Sequence, residues 1–182
     1  MLEDFLLPFV TIALAEIGDK TQLAVLCLSS KTKRHAELLG GTILAFALSS
    51  GLASLFGGMV SQYIPLDLVK AAAGLLFIAF GIKTLLEKQD GREKCDLKNP
   101  FASAFSMIFL AEMGDKTQLG TLAFATRFNP VFVFLGSLAA LTLLSVLAVY
   151  AGKFIAKRVD RATISKAAGA LFIAMGAAFI LL

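Results

Sequence analysis

One charged motif occurs twice in an otherwise apolar chain. Leu14-Ala-Glu-Ile-Gly-Asp-Lys-Thr-Gln-Leu23 returns as Leu110-Ala-Glu-Met-Gly-Asp-Lys-Thr-Gln-Leu119, identical at nine of ten positions and displaced by 96 residues. A second match follows in the same order: residues 74–81 (GLLFIAFG) and 169–176 (GALFIAMG) are displaced by 95. Two matches in the same order mark an internal duplication of about 90 residues. Each copy contains three apolar segments, 5–28, 38–63 and 66–86 in the first and 101–126, 131–155 and 164–182 in the second.

Composition decides the solvent of these segments. Apolar residues make up 58% of the 182 and charged residues only 16%, against roughly 45–50% and 25% in an ordinary soluble domain. A water-soluble domain of this size has too little interior for that apolar surface. Sixteen phenylalanines exclude a disordered chain. The chain therefore reads as an all-α polytopic membrane protein with six transmembrane helices, each needing about 20 residues. Three spans per copy is an odd number, so the second copy enters the membrane from the opposite side. The expected fold is two inverted three-helix repeats, a layout common among secondary transporters. The repeats are residues 1–86 and 100–182, joined by a polar linker, 87–99, into one transport domain.

Basic residues set the orientation. Thirteen lysines and arginines, from Lys31 to Lys166, fall on the side of the first, third and fifth connections; only Lys70 and Arg127 fall on the other, and the remaining two lie in the motifs. The linker is thus expected in the cytoplasm and both termini outside. This distribution also explains the net charge of +4 without nucleic acid. Asn99-Pro100 and Asn129-Pro130 place a capping side chain before a proline at the first helical position. The acidic start, Met1-Leu-Glu-Asp-Phe, lacks the basic region of a signal peptide, so the first segment is expected to stay as a span. Cys27 and Cys95 fit no metal or disulfide spacing and read as free thiols. His35, the only histidine, reads as a solvated loop residue.

The motif charges carry the function. Glu16, Asp19, Lys20, Glu112, Asp115 and Lys116 interrupt apolar spans, and each intramembrane charge costs at least about 2.5–3.5 kcal/mol on the insertion scale. On a regular helix Glu16, Asp19, Lys20 and Gln22 share a polar stripe about 160° wide, with Thr21 pointing elsewhere. Gly18 weakens that helix and could allow unwinding that brings Thr21 or backbone carbonyls into play. Glu112, Gly114, Asp115, Lys116, Thr117 and Gln118 repeat the pattern. Glu16 lies roughly 15 Å into its span, near the middle of a core about 30 Å thick, and Glu112 reaches the same depth from the other side. The two stripes together offer four carboxylates, two amides and two ammonium groups, a formal charge of −2 when fully ionised. A divalent cation would neutralise it. All-oxygen ligands suit Ca²⁺, Mg²⁺ or Mn²⁺ over Zn²⁺ or Cu⁺. Removing the cation from crowded carboxylates favours protonation, which gives a route to exchanging metal for protons.

Blander readings exist for these residues. Glu16 and Lys20 have the i, i+4 spacing of a helical ion pair, and the motifs could form only a structural seam. Gly74, Gly81, Gly169 and Gly176 read as helix-packing positions, with Phe77 and Phe172 packing or facing lipid. Ser49 and Ser145, paired at the displacement of 96, could line a cavity but read more readily as contacts between helices. A membrane enzyme acting on lipid phosphates would call for His or Arg near the surface. This chain offers one His and no Arg inside a span, so no catalytic residue and no cofactor is assigned.

The motifs Glu16-Ile-Gly-Asp-Lys-Thr21 and Glu112-Met-Gly-Asp-Lys-Thr117, both complete in a six-span chain with a hydrophilic centre, resemble those of the second calcium:cation antiporter family. Its members occur in bacteria, chloroplasts and the Golgi and exchange Mn²⁺ or Ca²⁺ for protons. The resemblance covers essentially the whole chain. It implies cation binding by Glu16, Asp19, Glu112 and Asp115, with Thr21, Gln22, Thr117 and Gln118 auxiliary. Lys20 and Lys116 would hold the carboxylates when the site is empty. The extra N-terminal segment of organellar members is not seen, so the resemblance points to a compact bacterial form in the inner membrane, exporting Mn²⁺ first and Ca²⁺ next. The partners are then the cation, protons and the lipid bilayer. The sequence leaves open a homo-oligomer, the ion preference, the stoichiometry and the direction. An exporter of a small basic solute using the same carboxylates, and a structural membrane protein without transport, are the competing readings.

Overall fold

The computed structural model describes residues 2–63, 66–86 and 99–155, together with 166, 169, 170, 173, 174, 176, 177 and 180. Among the described residues there are seven helices and no strand: α1 (Leu2–Glu16), α2 (Lys20–Ser30), α3 (His35–Tyr63), α4 (Leu66–Leu86), α5 (Pro100–Glu112), α6 (Lys116–Arg127) and α7 (Pro130–Ile155). Two of them, over His35–Val60 and Pro130–Tyr150, are long and apolar enough to cross a membrane. The linker 87–98, most of the last apolar segment with Phe172, and Cys95 lie outside the described residues.

The expected first and fourth spans are each two helices, not one. Backbone explains the difference. Gly18 has φ +78° and Gly114 φ +76°, a left-handed conformation that costs any other L-residue about 1–2 kcal/mol and cannot continue a right-handed helix. α1 and α5 therefore stop at Glu16 and Glu112. Asp19 and Asp115 restart the chain as extended N-cap residues, with ψ 171° and 167°. The helical wheel of the unbroken span fails at this point. The caps expected further on are present: the Asn99 side chain accepts from Ala102 N at 3.1 Å with Pro100 opening α5, and Asn129 Oδ1 accepts from Val131 N at 3.0 Å as α7 begins.

The two halves interlock. α3 packs chiefly on α5 and α6, from the other half, while α7 packs on α1 and α2 and on α3. Glycines make the crossings close. A Cβ on Gly41 would meet the Phe101 carbonyl at the start of α5, and one on Gly136 would meet the Phe5 carbonyl at the start of α1. Buried positions in α3 (41, 42, 45, 46, 49, 50, 53) recur in α7 (136, 137, 140, 141, 144, 145, 148), all displaced by 95. In this register Ser145 corresponds to Ser50, and Ser49 to Leu144; the pairing of Ser49 with Ser145 at 96 is not the structural one.

Gly74 and Gly81 of α4 lie against Gly176 and Gly169 in antiparallel order, with the Gly176 carbonyl 2.7 Å from where a Gly74 Cβ would stand. These four glycines are packing positions, as their spacing suggests. Phe77 is buried beside Phe124 of α6, ring centroids 5.7 Å apart. Cys27 is disulfide-bonded, which overturns the free-thiol expectation, because spacing along the chain carries no distance in space. His35 opens α3 and is half-buried, its ring edge-on to Tyr150 at 5.7 Å, so it is only partly solvated.

Candidate cation site

The two helix breaks are locked in the same way. Each Gln reaches back to its own glycine: Gln22 Oε1 accepts from Gly18 N, and Gln118 Oε1 from Gly114 N, both at 2.6 Å. The carbonyls of Glu16 and Glu112 accept from Asp19 N at 3.2 Å and Asp115 N at 3.1 Å. A short unwound segment thus has its polar groups answered locally, which an apolar surrounding demands. The break brings the C-terminal end of one half-helix and the N-terminal end of the next to the same point. The negative end of α1 or α5 favours a cation there, and the positive end of α2 or α6 favours the capping aspartate.

The breaks then cross-connect. Thr21 donates from Oγ1 to Glu112 Oε1 at 2.8 Å, and Thr117 donates from Oγ1 to Glu16 Oε1. The regular helix would have turned Thr21 away; the break aims it at the other motif. Glu16 and Glu112 are only 2% and 1% exposed, so their carboxylates have exchanged water for these contacts. A buried carboxylate without such partners would cost several kcal/mol.

Lys116 sits at the centre. Its Nζ lies 2.9 Å from Glu16 Oε1 and 3.5 Å from Asp115 Oδ2, and it pairs with Asp19 as well. One carboxylate oxygen from each of Glu16, Asp19 and Asp115 lies within 4.8 Å of the other two. The Lys116 ammonium thus stands among three carboxylates drawn from both motifs. Glu112 is outside that trio and is held by Thr21. The Lys20 side chain lies outside the described residues.

A cavity with room for about one water molecule lies beside Glu16. Its walls are Glu16, Thr21 and Gln22 of the first motif, Phe46 of α3, and Leu141, Leu144 and Ser145 of α7. The sequence reading placed Ser145 between helices and assigned Phe46, Leu141 and Leu144 no part. The change of displacement from 96 at the motifs to 95 at residues 74–81 was the available signal for the true register of α7. Gln22 and Gln118, expected as auxiliary ligands, act here as braces of the break.

The profile of the family described as "Divalent cation/proton antiporter GDT1" matches residues 4–92 and 100–181. Among similar proteins, one named "Putative manganese exporter" from Vibrio cholerae is 33% identical over 171 residues, 92% of this chain and 86% of that protein. A GDT1-like protein of Synechocystis sp. is 28% identical over 94% of each chain. GDT1-like protein 3 of Arabidopsis thaliana is 28% identical over 91% of this chain and 66% of its own length. No solved structure matches. The chain belongs to the divalent cation/proton antiporter family GDT1, a family of membrane transporters.

Proposed function

We propose that this chain exports a divalent cation, Mn²⁺ first and Ca²⁺ next, from a bacterial cytoplasm in exchange for protons. The observation that carries the reading is the Lys116 ammonium held by Glu16, Asp19 and Asp115. Three oxygens from two helix breaks already surround a positive charge, and a divalent cation in the same place would have to displace it. The ligands in this reading are Glu16, Asp19 and Asp115, with Glu112 joining from beside Thr21. Thr21 and Thr117 orient the glutamates, and the two glutamines hold the breaks open. Charge is then carried in turn by metal, by Lys116 with Lys20, and by protons on the carboxylates. Net ligand charge and oxygen hardness favour Mn²⁺ and Ca²⁺ over softer ions, and the Vibrio cholerae relative's name favours Mn²⁺ between them.

The same proposal takes residues 1–86 and 100–182 as inverted repeats joined by the linker 87–99, with the linker in the cytoplasm and both termini outside. The interlocking of α3 with α5–α6 and of α7 with α1–α2 supports, in this reading, moving bodies that mix both repeats. A second reading has one observation in its favour: the carboxylates accept a primary ammonium, so a small basic solute could bind in place of Lys116.

Thermal stability of the purified full chain in detergent separates these readings. Titration with Mn²⁺, Ca²⁺, Mg²⁺ and lysine at two pH values should show stabilisation by Mn²⁺ that follows mass action, weakens at the lower pH, and is lost in Asp19→Asn. Stabilisation by lysine alone would favour the basic solute. A full response to Mn²⁺ in both Asp19→Asn and Asp115→Asn would sink the carboxylate site.

A further inference from the structure

Ser145 lies on α7, outside both motifs, and is 3% exposed. Its hydroxyl makes no hydrogen bond among the described residues, in contrast to Thr121 with Ser137 at 3.1 Å and Thr42 with the Leu38 carbonyl at 2.9 Å. Yet among the described residues no buried side-chain oxygen is both sealed and unpartnered. Ser145 lines the cavity beside Glu16, a space that its hydroxyl, neither sealed nor bonded among the described residues, can open onto. A buried hydroxyl left without a partner is costly, and this one shares its cavity with Glu16, Thr21 and Gln22. The other walls, Phe46, Leu141 and Leu144, offer nothing that could satisfy it.

We infer that Ser145 is a specificity-determining residue of the cation site, its hydroxyl giving the transported divalent cation, or the last water on that cation, an oxygen on the Glu16 side. The inference rests on the cation-exchange reading and adds an element to it: the site is completed by α7, not by the two motifs alone. The confined space, with room for about one water, favours an ion that needs about six oxygens at short range over one that takes up to eight at longer range. Ser145 thereby acts on the choice of ion as well as on affinity.

Exchange of oxygen for sulfur tests this with a readout that a packing role would not move. The full chain in detergent is titrated with MnCl₂ and separately with CdCl₂, following thermal stability, for the wild type, Ser145→Ala, Ser145→Cys and Ser145→Thr. Ser145→Ala should weaken apparent Mn²⁺ affinity roughly 3- to 10-fold, the effect of losing one neutral oxygen contact, while Ser145→Thr keeps most of it. Ser145→Cys should raise the Cd²⁺ to Mn²⁺ affinity ratio above that of the wild type, because thiolate prefers the softer ion. Unchanged Mn²⁺ affinity in Ser145→Ala together with an unchanged ratio in Ser145→Cys overturns the inference. Where the wild type responds to Mn²⁺, Asp19→Asn does not, and the Ser145 variants follow the wild type, only Ser145 is removed from the site. Where the wild type itself fails to respond, the cation reading fails and this inference with it.

Discussion

The helix breaks and the helices that cover them carry the duplication differently. At the breaks the two copies agree in sequence, in backbone and in contacts: Gly18 and Gly114 share a positive φ, both glutamines close on their glycine at 2.6 Å, and both threonines reach the opposite glutamate. In α3 and α7 the copies share the buried positions and, at Gly41/Gly136, Ala45/Ala140, Ser50/Ser145 and Ala53/Ala148, the residue, but they differ at the walls of the cavity. Phe46 stands where α7 has Leu141, and Ser49 where it has Leu144. The lesson is that the charged chemistry is fixed by short local geometry that tolerates little change. The space around it is set by packing, which needs glycine at the two close crossings and elsewhere accepts residues of suitable volume. Substitutions at paired break positions should therefore act equally in both halves, and those in the covering helices unequally.

The largest effect is expected at Lys116. Lys116→Met removes the ammonium shared by Glu16, Asp19 and Asp115 and leaves the buried Glu16 carboxylate without that charge, a loss of up to about 3–5 kcal/mol. The metal-free protein should melt well below the wild type, and saturating Mn²⁺ should restore most of the difference because the cation then supplies the missing charge. A metal-free melting temperature equal to that of the wild type would show that Lys116 is not needed to hold the carboxylates together, and would weaken the displacement step.

The next effect probes the crossing itself. Thr21→Val and Thr117→Val each remove a hydroxyl from a buried glutamate and should each cost about 1–3 kcal/mol, similarly in the two halves. Double-mutant cycles read the pairing directly. Thr21→Val should couple with Glu112→Gln, and Thr117→Val with Glu16→Gln, each more strongly than Thr21→Val couples with Glu16→Gln across the cavity that both line. Coupling inside a motif instead of across motifs would mean that the breaks do not face each other as described.

Much of this arrangement is legible in the residues, and the rest is not for identifiable reasons. The duplicated motif pointed to the residues that the two breaks bring together, because charges in apolar runs are costly enough to need a use. Gly18 gave a warning of the break. A wheel drawn through it still placed Thr21 on the wrong side, since a single positive φ redirects every residue that follows. The Asn-Pro pairs gave the starts of α5 and α7, where capping is a matter of two adjacent residues. Contacts between halves were hidden: nothing in the sequence says that α3 packs on α5 and α7 on α1, or that Cys27 is disulfide-bonded. The register of α7 was hidden by one residue, and with it the meaning of Ser145, because a serine in an apolar helix looks the same whether it touches a neighbour or a cavity.

The smallest effect is expected at the glycines, and it is the sharpest test of equality between the breaks. A Cβ at Gly18 or at Gly114 would meet nothing within 4 Å. Gly18→Ala and Gly114→Ala should then cost only the backbone term, about 1–2 kcal/mol each, with no contribution from clashes. Their φ values, +78° and +76°, differ too little to separate them, although the walls around Glu16 include Phe46 and Leu141, from two different helices. Equal falls in metal-free melting temperature would show that each break is held by its own turn, the glycine and its glutamine, independently of the covering helices. If one variant falls markedly further, α3 or α7 presses on that break, and the two halves are no longer equivalent even where their sequences are.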